Sequence, residues 1–205
     1  PYNPTALGDQ MHNPGTNSVT SQNFESSLDT FDSFAAEQFG IMDDIWSVAG
    51  VEVRGAYYGG SGNAESVNVW FYNDSAGFPY QVIHSSLNVI PVNGLSSGSF
   101  SIQLIEPVNL VEGMYWVCVQ ANMPFISSGQ WGWTTSISQS LNESVWKNPG
   151  GGFGSICTNW NYRASNCGIG TAPGLCFALL GNIIPVELTS FSAAIFENSI
   201  ELYWQ

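Results

Sequence analysis

Positive charge is almost missing from this chain. Its 205 residues include only Arg54, Lys147 and Arg163 as strong cations, against sixteen Asp and Glu, for a formal net charge of −13. Nucleic-acid binders release counterions through a basic patch. Three scattered cations cannot form one, so no nucleic-acid partner is expected, and anionic lipid surfaces are disfavoured for the same reason. Bound cations, calcium above all, suit such a balance. Charge of either sign is scarce too, at 9% of residues against roughly 25% in an ordinary soluble domain. Polarity comes instead from Ser, Asn, Gln, Thr and Gly, which favour strands, turns and loops.

Other absences narrow the field further. No apolar run reaches the ~18–20 residues that a spanning helix needs, so membrane insertion is not expected. The four cysteines, Cys118, Cys157, Cys167 and Cys176, contain no C-x-x-C pair, which argues against zinc and thioredoxin-like sites. Disulfides are the simpler reading. Three pairings are possible, and the favoured one is Cys157–Cys167 with Cys118–Cys176. The first closes a short loop through "TNWNYRASN", and the second would join two apolar strands; four free buried thiols are the competing reading. Disulfides, low charge and a start at "PYNPTALGDQ" are what a mature secreted protein or an excised fragment is expected to show.

Strand patterning dominates what is present. "ESVNVWFYND" places Val67, Val69 and Phe71 on one face and Asn68, Trp70 and Tyr72 on the other, then enters a turn cluster at Asn73–Gly77. "GSFSIQLI" alternates Phe100, Ile102 and Leu104 with Ser99, Ser101 and Gln103. "GMYWVCVQA" is apolar almost throughout, which predicts a central strand covered on both faces. Only Ser33–Phe39 has a helical flavour. Many short strands spaced by turns predict an all-β sandwich, of jelly-roll type, over residues 1–181. Residues 182–185 read as a linker, and residues 186–205 as a C-terminal hairpin that either opens a further domain or serves as an assembly strand.

Catalytic motifs are thin. Gly94–Gly98 matches G-x-S-x-G, but a nucleophile elbow needs a helix after it, and a strand follows here. His84 alternates with Val82 in a strand and reads as a structural histidine. "NPGGGFGSIC" lacks the Lys-Ser/Thr and helix of a phosphate loop. A glycosidase pair of carboxylates is defined by distance, so a hydrolase stays open as a reading. The acidic run Asp29, Asp32, Glu37, Asp43 and Asp44 contains no cation. Asp29, Asp32 and Glu37 are candidate calcium ligands, with a solvated acidic edge as the bland alternative. Trp131, Trp133, Trp160 and Tyr162 are the candidate glycan platform. The first pair reads more readily as core, and the second pair as outward-facing.

Residues Gln22–Gly181 resemble a recurrent secreted bacterial β-sandwich module of multidomain surface proteins. The runs "SQNFESSLDTFDSFAAEQF", "VNVWFYNDSAGFP", "YWVCVQANM", "GQWGWTT" and "NPGGGFGSICTNW" carry that resemblance. It implies fold and compartment but no activity, and Cys157 and Cys167 fall where the module's loop cysteines occur. "PVELTSFSA" with "IELYWQ" is similar to the start of the C-terminal region of Bacteroidetes-type proteins exported by type IX secretion. The expectation is therefore a non-catalytic extracellular or cell-surface module, structural or adhesive. It would assemble with itself through Val186–Trp204 or bind extracellular polysaccharide; no cofactor is required, and calcium is the one candidate ion.

Overall fold

The computed structural model describes residues 5–138 and 141–185, together with the backbone of two further strands, Phe191–Phe196 and Ser199–Trp204. Eight antiparallel strands form the framework: β1 (Thr5–Asp9), β2 (Phe34–Ile41), β3 (Ile45–Val53), β4 (Ser66–Ser75), β5 (Phe78–Val89), β6 (Phe100–Leu110), β7 (Gly113–Asn122) and β8 (Phe177–Ile184). They make two sheets, ordered β1-β8-β3-β6 and β2-β7-β4-β5. Those two orders are the interlocked Greek keys of a jelly roll. The chain is thus an all-β sandwich, as its alternation predicts.

Side-chain alternation explains which faces meet. Val67, Val69 and Phe71 of β4, Val117, Val119 and Ala121 of β7, and Phe100, Ile102 and Leu104 of β6 are all buried in one core with Val48, Val51 and Val53 of β3. Strand β7 lies between β2 and β4, with Cys118 opposite Ala36 on one side and Trp70 on the other. Its almost unbroken apolar run follows from that central place, because both of its faces are covered.

Two expectations change. Ser33–Phe39 is not helical: Phe34–Ile41 is strand β2, and Ala35, Phe39 and Ile41 point into the core. Pairing with β7 and burial of alternate residues outweigh the local preference of Ala and Glu for helix. Residues 182–184 are not a linker either, since β8 continues to Ile184, which pairs with Ile45 of β3. The two C-terminal strands form a two-stranded sheet of their own.

A smaller sheet closes the sandwich. Strand Gln130–Ser136 pairs with Pro14–Thr20, Gly55–Tyr58 and Gly174–Leu175. It brings Trp131 against Phe100, with ring centroids 5.0 Å apart. Glycine is needed at position 55, where a Cβ would lie 2.5 Å from the Trp131 indole nitrogen. Among the described residues no helix is long and apolar enough to cross a membrane, a statement that does not extend to strands.

Candidate functional site

The outer face of the second sheet is aromatic where a solvated face would be polar. Beyond β2 the sheet is extended by two short strands, Val145–Lys147 and Asn161–Tyr162. Alternation turns Phe34 and Ala36 of β2, Trp116 and Cys118 of β7, and Trp70 and Tyr72 of β4 away from the core and toward this surface. Trp160, from the excursion that precedes Asn161–Tyr162, lies across the centre. Its ring centroid is 5.9 Å from Tyr72 and 6.4 Å from Phe34, both edge-on. Trp70 meets Phe34 edge-on at 5.7 Å, and Tyr162 lies 4.9 Å from Phe78. Ala36, Trp116 and Cys118 are sealed beneath, while Phe34, Trp70, Phe78, Trp160 and Tyr162 stay partly open to solvent.

Polar groups flank these rings. On one side Asp74 accepts hydrogen bonds from Trp116 Nε1 at 2.8 Å and Gln38 Nε2 at 2.9 Å. On the other, Asn68 Nδ2 donates to Asn122 Oδ1 at 2.8 Å and to Gln120 Oε1 at 3.2 Å, and Asn122 Nδ2 donates to Ser66 Oγ at 2.8 Å. These amides form a network that fixes one edge of the aromatic surface. The exposed Ser85 and Asn88 border it on β5.

The excursion carrying Trp160 and Tyr162 is held by specific chemistry. Cys157 and Cys167 form a disulfide across ten residues, as expected. A disulfide fits a non-cytoplasmic protein. Within the loop, Arg163 is wholly buried; Nε donates to Ser144 Oγ at 3.0 Å, Nη1 donates to the Ile169 carbonyl at 2.5 Å, and Nη2 reaches the Ala172 carbonyl. Glu143 accepts the amide hydrogens of Ala164 and Ser165. Upstream, Gly150 and Gly152 press on Thr30, where a Cβ on either would come within 2.6 Å of its backbone. The glycine run is therefore a close-packed brace and not a phosphate cradle.

Other candidates from the sequence lie elsewhere. Trp131 and Trp133 are 0% exposed, and their indole N–H groups donate to the Gly98 and Cys176 carbonyls, both at 2.7 Å. They are core residues and offer no ring face to a ligand, so the structure separates them from Trp160 and Tyr162. Cys118 and Cys176 are not bonded to each other: both are free and buried. Cys118 points to the outer face of the second sheet, whereas the Cys176 thiol donates to the Thr135 carbonyl in the small sheet. Burial pushes the Cys118 thiol up to about 12.

The acidic run disperses. Asp29 is exposed in a 3-10 turn, Ser26–Phe31, and Asp32 accepts the Phe24 amide hydrogen at 2.7 Å. Glu37 faces inward on β2, where it accepts the Leu175 amide hydrogen at 2.6 Å. Burial pushes its carboxyl up to about 8, against hydrogen bonds and the Arg163 charge, which pull it down. Among the described residues no group of three or more His, Cys, Asp or Glu is placed to hold a metal. The G-x-S-x-G match is a turn that leads into β6, and His84 bonds Ser86 Oγ at 3.2 Å beside the Phe71 ring.

Phe34 and Lys147 were not singled out by sequence. Phe34 was hidden by the helical flavour of its segment, and Lys147 by its isolation from other cations. Trp70 was legible, because alternation had already set it opposite the core face of β4. Comparison with protein-family models, curated proteins and solved structures finds no match for this chain.

Proposed function

We propose that this chain is a non-catalytic, extracellular adhesive module that binds polysaccharide on the outer face of its second sheet. The observation that carries the reading is the convergence of Phe34, Trp70, Trp160 and Tyr162 on one surface from separate stretches of chain. Pyranose rings present faces of C–H groups, which carry slight positive charge. Aromatic faces carry the complementary negative charge of their quadrupole. Fixed amide and hydroxyl groups beside such rings suit sugar hydroxyls. The Cys157–Cys167 disulfide, the low charge and the resemblance to secreted surface modules support an extracellular setting, with export by the type IX route as the matching path.

Affinity electrophoresis against a panel of neutral and acidic polysaccharides tests the reading. Trp70→Ala and Trp160→Ala each remove retardation by the bound polysaccharide. Tyr80→Ala, which alters an exposed ring on β5, leaves it unchanged. Absence of retardation by every polysaccharide, or retardation indifferent to both Trp changes, would sink the proposal.

One observation favours a second reading, self-assembly. The strands Phe191–Phe196 and Ser199–Trp204 pair only with each other among the described residues, and an isolated hairpin is marginal in water. Strand addition to another copy would give it a partner. Light scattering on the whole chain and on a form ending at Pro185 separates the two: polymers lost on shortening support assembly, and two monomers refute it.

A further inference from the structure

The chain's one lysine stands among the rings of this surface, and among the described residues it has no counter-ion. Lys147 Nζ lies 4.4 Å from the Trp160 ring centroid and 4.8 Å from that of Phe34. Among the described residues the only ion pair joins His12 to Asp9, so none of the described carboxylates neutralises the ammonium. The titratable group that faces it is the Cys118 thiol, which burial keeps neutral. Arg163, the other sequestered cation, is by contrast enclosed by carbonyl and hydroxyl acceptors.

A lysine at this place has a cost that an apolar residue would avoid. Its stem covers ring surface, as lysine stems do, but methionine would cover it equally well. Partial burial works against the charged form, and the ring faces return only part of what water gave. A half-buried ammonium held against two rings, with no hydrogen-bond acceptor on it among the described residues, is a built half of an anion contact.

We propose that the outer face of the second sheet selects acidic saccharides, with a sugar carboxylate on Lys147 Nζ and the adjoining sugar faces on Trp160 and Trp70. This rests on the saccharide-binding reading above. The net charge of −13 shapes the kind of ligand. A densely charged polyanion would be repelled by the rest of the surface. A glycan with widely spaced carboxylates would not, because screening confines that repulsion to about 8 Å at physiological salt. Uronates alternating with neutral sugars therefore fit best.

Calorimetric titration decides the matter, using an oligosaccharide of alternating glucuronate and neutral hexose and its carboxyl-reduced counterpart. Wild type prefers the acidic form by about tenfold, the scale of one hydrogen bond to a charged group, and the preference shrinks as salt is raised. Lys147→Met binds both forms alike, at the affinity wild type shows for the reduced one. An unchanged melting temperature certifies its fold, and Lys147→Arg keeps the preference should the Met form prove unstable. Equal affinity of wild type for both forms overturns the acidic selection while leaving saccharide binding intact. A preference that survives Lys147→Met overturns the role of Lys147. No binding of either form, with none of the panel retarded, overturns both readings.

Discussion

Replacing Glu37 with glutamine isolates the cost of a carboxyl group inside the sandwich. Glu37 is 1% exposed on the inward face of β2, and burial pushes its carboxyl to about 8 from an ordinary value of 4.5. Between those values the unfolded chain has lost the proton and the folded chain keeps it. The folded state binds more protons, so stability falls as pH rises. The contribution is fully present below about pH 4.5, declines by about 1.4 kcal/mol per unit, and is spent above about pH 8, a total of about 5 kcal/mol. Glutamine has the same shape and can still accept the Leu175 amide hydrogen, but it does not titrate. Urea unfolding across that range should therefore show wild type losing stability with pH, and Glu37→Gln losing about 5 kcal/mol less of it. Parallel pH profiles for the two proteins would refute the reasoning. They would mean that Arg163 compensates the buried carboxylate fully.

Three further outcomes follow from the packing. Replacing Cys157 and Cys167 with serine frees a loop ten residues long, which costs about 3 kcal/mol in chain entropy. For a chain of this size that lowers the melting temperature by about 6–12 °C in scanning calorimetry. Trp131→Ala empties a site in the core and leaves the Gly98 carbonyl without its donor; chemical denaturation should register a loss of about 3–5 kcal/mol. Cys118 and Cys176 resist an aromatic disulfide reagent in the native protein and react as two thiols once it is unfolded; rapid native reaction would contradict their burial.

How much of this was legible in the sequence depends on what each residue answers to. Val67, Val69, Phe71, Phe100, Ile102 and Leu104 revealed their core face through strict alternation, and the unbroken run at Tyr115–Val119 revealed a central strand. The 157–167 disulfide was legible because a short loop makes its closure local. The expected partnership of Cys118 with Cys176 failed because Cys118 lies on β7 of the second sheet, whereas Cys176 lies between Gly174–Leu175 of the small sheet and β8 of the first, a fact of topology that spacing does not carry. Strand β2 was misread for a related reason. Its alanines and glutamate suit a helix, and only the presence of β7 beside it decides otherwise. The tryptophans show the limit most plainly. Trp131 and Trp133 share a strand face just as platform residues would, and only the small sheet folded against Phe100 makes them core. Lys147 is ordinary in sequence; its meaning comes from rings brought over it by β2 and by the braced loop.

The central claim concerns which tryptophans meet a ligand, and the indole N–H resonances report on all eight individually. Nuclear magnetic resonance titration with an oligosaccharide retained in the polysaccharide panel should move the Trp70 and Trp160 signals together and saturably. The Trp131 and Trp133 signals, buried and bonded to carbonyls, should stay in place. Shifts confined to tryptophans off this sheet face, or none at saturating sugar, would contradict the account.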